Sequence, residues 1–513
     1  MGKTLTKKSR IEAVIKNSGT TIIVQIVTLL LNFVQRTVLI QILGEEYAGL
    51  DGLFSNILTI LSLAELGVGS AIVFSMYKPM AEKDEQKLVQ LIQFYGKIFR
   101  LVGCTIIIAG TVLTPFLEFF IKDTQNISNI SLIYILYVIN TGISYFFSYK
   151  ASVLTVGQEE FIVSLNRFIF HSIQIIFQVI VLIQFRNFIL FFLMKIICTL
   201  LCNISITLIA NRRYPFIKGK STSRLSSSEL NEIKKNVAAM FLHRIGTIVI
   251  YGTDNLLISH FINIAAVGFY SNYSMIINAI STFMSSFFYS MTASVGNLGA
   301  EGDQEHTFRI FKNVLFLNYF IDAFCTVNLY FLLNPFVILW LGKRFLLSKE
   351  IVLLIVSVFY IDFGRRAVIV FRNALGLFWY DRYKPFVEAC VNLISSIILA
   401  KYYGMAGVFG GTVISFLGVS FWWESLILYK YGFKKKFRQY IALVVKYTAA
   451  TILCLVAGMV LDGIIGELTL IRFCIRMVVF PSLAIGIFYL LFHRSEEYVY
   501  LKGVVKRKVL KQL

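Results

Sequence analysis

The chain has 513 residues, of which 57% are hydrophobic and 15% charged, with a mean hydropathy of +0.74. A soluble domain of that length is about a quarter charged, so a water-soluble enzyme is excluded. At about 20 apolar residues per crossing, the hydrophobic complement fills about fourteen membrane helices. The formal charge of +21 would suggest nucleic acid in a soluble protein, whereas in a membrane protein Lys and Arg are retained on the cytosolic side.

Taken in order, hydropathy and polar breaks predict spans over 20–43, 50–77, 88–116, 131–149, 161–183, 188–210, 237–261, 265–291, 308–333, 351–378, 385–400, 408–429, 441–461 and 470–492. The basic segment before the first span lacks a cleavage pattern, so the chain is expected to insert intact. Pro79, Pro115, Pro215, Pro335 and Pro385 fall at or near predicted ends, and Pro481 alone sits inside a span, where it predicts a kink. With the N-terminus in the cytosol, cytosolic connections and tails hold 31 Lys and Arg against seven on the outer side. That bias places both termini in the cytosol. It also removes the nucleic-acid reading, because the charge is dispersed over many short loops. The seven cysteines (Cys104, Cys198, Cys202, Cys325, Cys390, Cys454, Cys474) lie in or at the ends of apolar stretches without CxxC spacing, and read as small core hydrophobes; no disulfide, metal or cofactor is expected.

A shift of 219 residues without a gap pairs Gly49 with Gly268, Ile57 with Ile276, Ser62 with Ser281, Ser75 with Ser294, and Ala81, Glu82 and Asp84 with Ala300, Glu301 and Asp303. A shift of 222 pairs Lys150 with Arg372 and Glu159 with Asp381. The repeat unit is six spans, an even number, so both copies enter the membrane in the same sense, which is a transporter architecture with a cavity between halves. The expected organisation is a cytosolic segment 1–16, an N-lobe 17–210, a basic cytosolic linker 211–236, a C-lobe 237–430, two extra helices over 431–493, and a basic tail 494–513.

Charges at membrane depth carry the next inference. Arg36, Glu65, Arg167, Lys195, Arg244, Asp254, Asp322, Asp362, Arg365 and Arg366 would together cost about 25 kcal/mol or more facing lipid. They must therefore face one another or a water-filled cavity. In this set the basic residues are in excess, with Arg167, Arg244 and Arg372 towards the cytosol, Arg365 and Arg366 near mid-depth, and Arg36 and Lys195 towards the outside. Such an excess favours an anionic passenger, and Arg holds phosphate oxygens bidentately. The competing reading for each is an internal ion pair, such as Arg36 with Glu65 or Arg365 with Asp362 three positions away. Glu65, Asp254, Asp322 and Asp362 are candidates for gating or ion coupling. Lys97 and Arg100 sit near a cytosolic end and are expected to snorkel. His243 and His171 are read as packing residues before proton relays, the GVGSA run from Gly67 to Ala71 as a close-packing surface, and Trp422 and Trp423 as interfacial or packing residues.

Two segments resemble a known family. Gly49 to Lys87, with its AELGVGSA core and the Lys78-Pro79-Met80-Ala81-Glu82 loop, is similar to the second helix and following loop of bacterial polysaccharide transporters in the multidrug/oligosaccharidyl-lipid/polysaccharide exporter superfamily. Tyr251 to Phe261, YGTDNLLISHF, looks like that family's seventh helix. The resemblance implies an all-α polytopic protein of two parallel six-helix lobes plus two helices. It implies a repeat-unit flippase that moves an undecaprenyl-pyrophosphate-linked oligosaccharide to the outer leaflet of the bacterial cytoplasmic membrane by alternating access, for O-antigen, capsule or a similar polymer. Its partners would be that lipid-linked oligosaccharide, membrane lipid, and a polysaccharide polymerase with other assembly proteins. Asp254, Glu65 and Arg36 match the family in place only. Alternatives are a peptidoglycan-precursor flippase or a small-molecule exporter of the same superfamily. A membrane glycosyltransferase or polymerase is a remote one, because the first outer loop, 44–49, is too short to form a catalytic domain.

Overall fold

The computed structural model describes residues 7–65, 68–121, 127, 129–219, 225–227, 229–231, 233–234, 237, 252–292, 295–296 and 303–510. Helices account for the architecture, and no strand occurs among the described residues. Inside a bilayer the only open-ended way to satisfy backbone N–H and C=O groups is the helix, and the apolar runs leave it no polar competitor.

The chain forms two compact units, Met1–Gly268 and Phe269–Leu513. The first holds α1 (Lys7–Leu43), α2 (Glu45–Leu61), α3 (Val68–Glu82), α4 (Glu85–Leu113), α5 (Ile130–Ser148), α6 (Glu160–Phe185) and α7 (Phe188–Arg213). Then come α8 (Ile264–Ser290), which begins at the end of the first unit, α9 (Gln304–Leu341), α10 (Lys349–Gly364), α11 (Arg366–Ala374), α12 (Lys384–Ser415), α13 (Arg438–Ile465), α14 (Leu470–Phe492) and α15 (Glu496–Leu510). Nine helical stretches among the described residues are long and apolar enough to cross a membrane. One of them, 384–433, is two antiparallel crossings. It reverses at Gly404, whose φ of 55° and ψ of −131° suit glycine and almost no other residue.

Small side chains zip the two arms of this hairpin: Ser396 Oγ donates to Val408 O at 3.0 Å and Asn392 Nδ2 to Thr412 Oγ1 at 3.0 Å. The second arm continues from α12 through two π-helical turns, Phe416–Ser420 and Leu428–Phe433, on either side of Phe421–Ile427.

Several positions related by the 219-residue shift have the same structural role. Helices α2 and α8 begin at Glu45 and Ile264, one shift apart. Asp84 caps α4 by accepting from Lys87 N at 2.9 Å, and Asp303 caps α9 by accepting from His306 N at 2.9 Å, each filling an orphan donor of a first turn. Gly49 and Gly268 face each other: a Cβ on Gly49 would strike the Ile264 carbonyl, and one on Gly268 the Glu45 carbonyl. The crossing is thus symmetric under the shift that relates its halves.

Three sequence expectations need correction. The predicted span 351–378 is broken between α10 and α11. Asn318 of α9 makes the break tolerable: its Nδ2 donates to Phe363 O at 3.0 Å and its Oδ1 accepts from Ala367 N at 2.9 Å, so the backbone groups freed there are satisfied. The helix expected to end near Pro335 runs on to Leu341, and α3 runs past Pro79 to Glu82; proline forfeits one intrahelical bond, which a membrane helix in packed surroundings accommodates. The second predicted span is divided into α2, a 3-10 turn at Ser62–Glu65, and α3.

The described residues of the 211–236 linker pack on the first unit. Ile217 and Ile233 are buried against Ile72, Met76, Leu88 and Leu91, with Leu225 and Val237 packed alongside. Gln93 Nε2 donates to Gly219 O at 3.0 Å. Lys87 pairs with Glu229, whose carboxylate also accepts from Ser226 N at 3.0 Å and Ser226 Oγ at 2.8 Å. The Lys87 bond, followed by the two from Ser226, holds the Glu229 carboxyl down at about 2.

Candidate functional site

Among the described residues, two groups of intramembrane charge stand out, one in each unit. In the first unit α1 carries Arg36, α2 carries Asp51, α5 carries Tyr137 and α7 carries Lys195. Arg36 is buried and donates to Ala48 O at 3.3 Å and Gly268 O at 3.4 Å, so it ties down carbonyls on both sides of the Gly49–Gly268 crossing. Asp51 accepts from Tyr137 OH at 2.5 Å and lies 3.8 Å from Lys195 Nζ. Tyr137 stacks on Phe192 at 3.9 Å between centroids, and Lys195 Nζ lies 5.4 Å and 5.1 Å from those two rings. Side chains of Lys195 and Asp51 remain 31% and 37% exposed. This is a cation held by aromatic faces and one loosely placed carboxylate, with donor capacity left over.

A polar seam joins α1 to α6. His171 bonds Asn32 at 3.0 Å, Gln35 donates to Gln178 at 2.7 Å, and Gln174 donates to the same oxygen at 3.1 Å. His171 is therefore a hydrogen-bonded packing residue in this arrangement. Arg167 on α6 is exposed and has no hydrogen-bond or ion-pair partner among the described residues. Glu65 accepts from Tyr145 OH at 3.1 Å. Arg100 donates to Gly96 O at 3.0 Å midway along α4, not near its end as expected. Asp254 is buried, and its Oδ1 lacks a hydrogen-bond partner among the described residues. Arg244 and His243 lie outside the described residues.

The second unit holds a denser group. Arg365 reaches Asp362 at 3.1 Å, Glu388 at 3.4 Å and Glu424 at 3.6 Å. Arg366 reaches Asp362 at 2.5 Å and donates to Tyr289 OH at 3.1 Å. Arg372 pairs with Asp381 and, at 3.2 Å, with Glu424. Lys384 pairs with Glu388 at 2.7 Å and Glu424 at 2.9 Å. Four cations and four carboxylates alternate in space, joining α10, α11, both arms of the hairpin and the turn before it. Burial of so many charges is tolerable only with that degree of mutual pairing.

The pairing of Arg365 with Asp362 follows the three-residue spacing. Glu388 and Glu424 were missed in the sequence, although both lie inside predicted spans and belong beside the other intramembrane charges. Counting them, with Lys384 and Asp381, balances the basic residues Arg365, Arg366 and Arg372: among the described residues the cluster holds four cations and four carboxylates, and an anion entering it would have to displace carboxylates. Asp322 stands apart. It is fully buried, accepts only from Thr326 Oγ1 at 3.4 Å, and its Oδ2 has no hydrogen-bond partner among the described residues. No group of three or more His, Cys, Asp or Glu side chains suited to a metal occurs among the described residues.

Neither a family model nor a curated protein matches the chain. Solved structures do. The lipid II flippase MurJ in an inward closed conformation superposes with a TM-score of 0.67 at 15% identity, covering 92% of this chain and 98% of its own. An inward-facing multidrug resistance MATE family transporter of the MOP superfamily superposes at 0.63 and 14% identity, covering 79% and 97%. A point mutant of the Vibrio cholerae MATE transporter VcmN superposes at 0.55 and 14% identity, covering 81% and 95%. The chain is therefore a multi-pass membrane protein, helical over its described residues, with a fold similar to that of MurJ and of the MATE transporters.

Proposed function

We propose that this protein is a flippase for a polyprenyl-pyrophosphate-linked oligosaccharide, moving it by alternating access from the inner to the outer leaflet of a bacterial cytoplasmic membrane, with both termini cytosolic, for assembly of a surface polysaccharide. The observation that carries the reading is the extent of the likeness to a flippase of a lipid-linked substrate: it spans 92% of the chain, against 79% and 81% for the two MATE transporters. The half-exposed Lys195, held over Tyr137 and Phe192, supports an anionic head group with sugars, since a cation beside aromatic faces suits both.

In this proposal Lys195 and the exposed Arg167 contact the pyrophosphate, together with Arg244. Arg36 contributes positive potential while holding the helix crossing. Arg365, Arg366 and Arg372 contribute through the neutral network, chiefly by fixing the helices around it. Glu65, Asp254, Asp322 and Asp362 remain the proposed gating or ion-coupling carboxylates, Asp322 and Asp254 on the ground that each has a buried oxygen with no hydrogen-bond partner among the described residues. A polysaccharide polymerase acts downstream.

The test is charge reversal at Lys195 in cells dependent on this protein. Lys195→Glu is expected to abolish surface polymer at unchanged protein level; normal polymer overturns the assignment. A second reading, a peptidoglycan-precursor flippase, is supported by the lipid II flippase likeness itself. Rescue of cells depleted of their lipid II flippase would establish that reading, with surface polymer unaffected by loss of the gene.

A further inference from the structure

Trp422 and Trp423 gained no role from the transport reading. They line a cleft of about 350 Å³ on the outside of the second hairpin arm, with Tyr380, Gly418, Leu426 and Lys430 among its other walls. The two π-helical turns of that arm, Phe416–Ser420 and Leu428–Phe433, contribute Gly418 and Lys430 to it. Such turns widen a helix locally and recur at functional sites. Here the first leaves the space beside Gly418 open, since a Cβ there would meet nothing within 4 Å. At the other end Tyr380 and Tyr431 stack at 4.0 Å and 12°, and Lys430 Nζ lies 5.2 Å from the Tyr431 ring. Lys430 is exposed and has no carboxylate partner among the described residues.

We propose that this cleft binds an anionic phospholipid of the cytosolic leaflet, with its phosphate on Lys430 and the start of one acyl chain along Trp422 and Leu426 towards Gly418. Three observations favour that occupant. The lining is apolar over its length and cationic at one end, which matches an amphiphile carrying one negative head. Trp422, Leu426 and Tyr431 are 47%, 44% and 40% exposed, so the cleft opens to the lipid surroundings. The basic run Lys434, Lys435, Lys436 and Arg438 follows directly in the connection assigned to the cytosol, at the depth where phosphates lie. The cleft backs onto the arm that carries Glu424, and its occupant is independent of what the protein transports.

The experiment uses the full-length protein with Trp340→Phe and Trp379→Phe, leaving Trp422 and Trp423 as the only indoles, in vesicles of phosphatidylcholine doped with either brominated phosphatidylglycerol or brominated phosphatidylcholine. Quenching should favour the anionic lipid about fivefold in apparent affinity, the worth of one basic side chain at an anionic surface. Lys430→Ala should erase that preference, and Gly418→Leu, which fills the cleft, should reduce quenching by either lipid. Excess inorganic phosphate should not compete. Equal quenching by the two lipids, an unchanged preference in Lys430→Ala, or full competition by free phosphate would overturn the proposal. If Gly418→Leu does not fold, Lys430→Ala carries the test alone.

Discussion

Glu424 is the carboxylate on which the buried network of the second unit converges, and its neutralisation makes a quantitative test of what that network does. It is 2% exposed and lies 2.9 Å from Lys384, 3.2 Å from Arg372 and 3.6 Å from Arg365. Glu424→Gln keeps the shape and leaves four cations facing three carboxylates. Removing one partner of a buried pair costs about 3–5 kcal/mol, because the charge left behind is neither solvated nor compensated. For a unit the size of Phe269–Leu513, each kcal/mol lowers the midpoint by about 2 °C, so thermal unfolding in detergent should fall by about 6–10 °C. Adding Lys384→Met restores neutrality and should recover about half of the loss. If the cluster instead existed to hold an anionic passenger, removing a carboxylate would free a cation and strengthen binding without loss of stability. A Glu424→Gln protein that melts within a degree of the parent would refute the structural role.

Further outcomes can be measured independently. Asn318→Ala leaves Ala367 N without its acceptor and Phe363 O with only the Arg365 N–H as donor, at about 1–3 kcal/mol for the orphaned N–H; a midpoint unchanged from the parent would show that the break between α10 and α11 holds without it. Glu229, whose carboxyl is held at about 2 by Lys87 and Ser226, stabilises the docked linker at pH values above the ordinary carboxylate range and progressively less as pH falls towards 2. Glu229→Gln should therefore speed hydrogen exchange over residues 225–227 and 229–231 at neutral pH, and identical exchange would show that the contact does not hold the linker. Lys195→Glu should abolish surface polymer, whereas reversing Arg365 should lower the amount of folded protein, a difference visible by comparing polymer with protein level in the same cells.

Much of the architecture is written in local signals. The apolar runs, the prolines at Pro115 and Pro385, and the matched Asp84 and Asp303 mark helix ends because hydropathy and capping act over a few residues. The Arg365–Asp362 pair was legible for the same reason. What local patterns do not encode is which distant charges meet. Glu424 lies 59 positions from Arg365, and nothing in the period of its own helix points to a partner, so the cations of the α10–α11 segment looked like a surplus when they were half of a balanced set. The break after Gly364 was hidden too, because the side chain that makes it tolerable, Asn318, lies on another helix. Arg36 shows the same limit: its acceptors include two backbone carbonyls, which no charge count can anticipate.

The facing glycines at 49 and 268 carry a consequence for how the sequence can vary. What each would strike, were it enlarged, is the main chain of the opposite helix. Ordinary steric conflicts can be repaired by trimming the neighbour, but a carbonyl has no smaller version. A selection for second-site suppressors of Gly49→Val should accordingly return no side-chain partner across the crossing; reversion would require shifting a whole helix, and with it the grip of Arg36 on both sides of the contact.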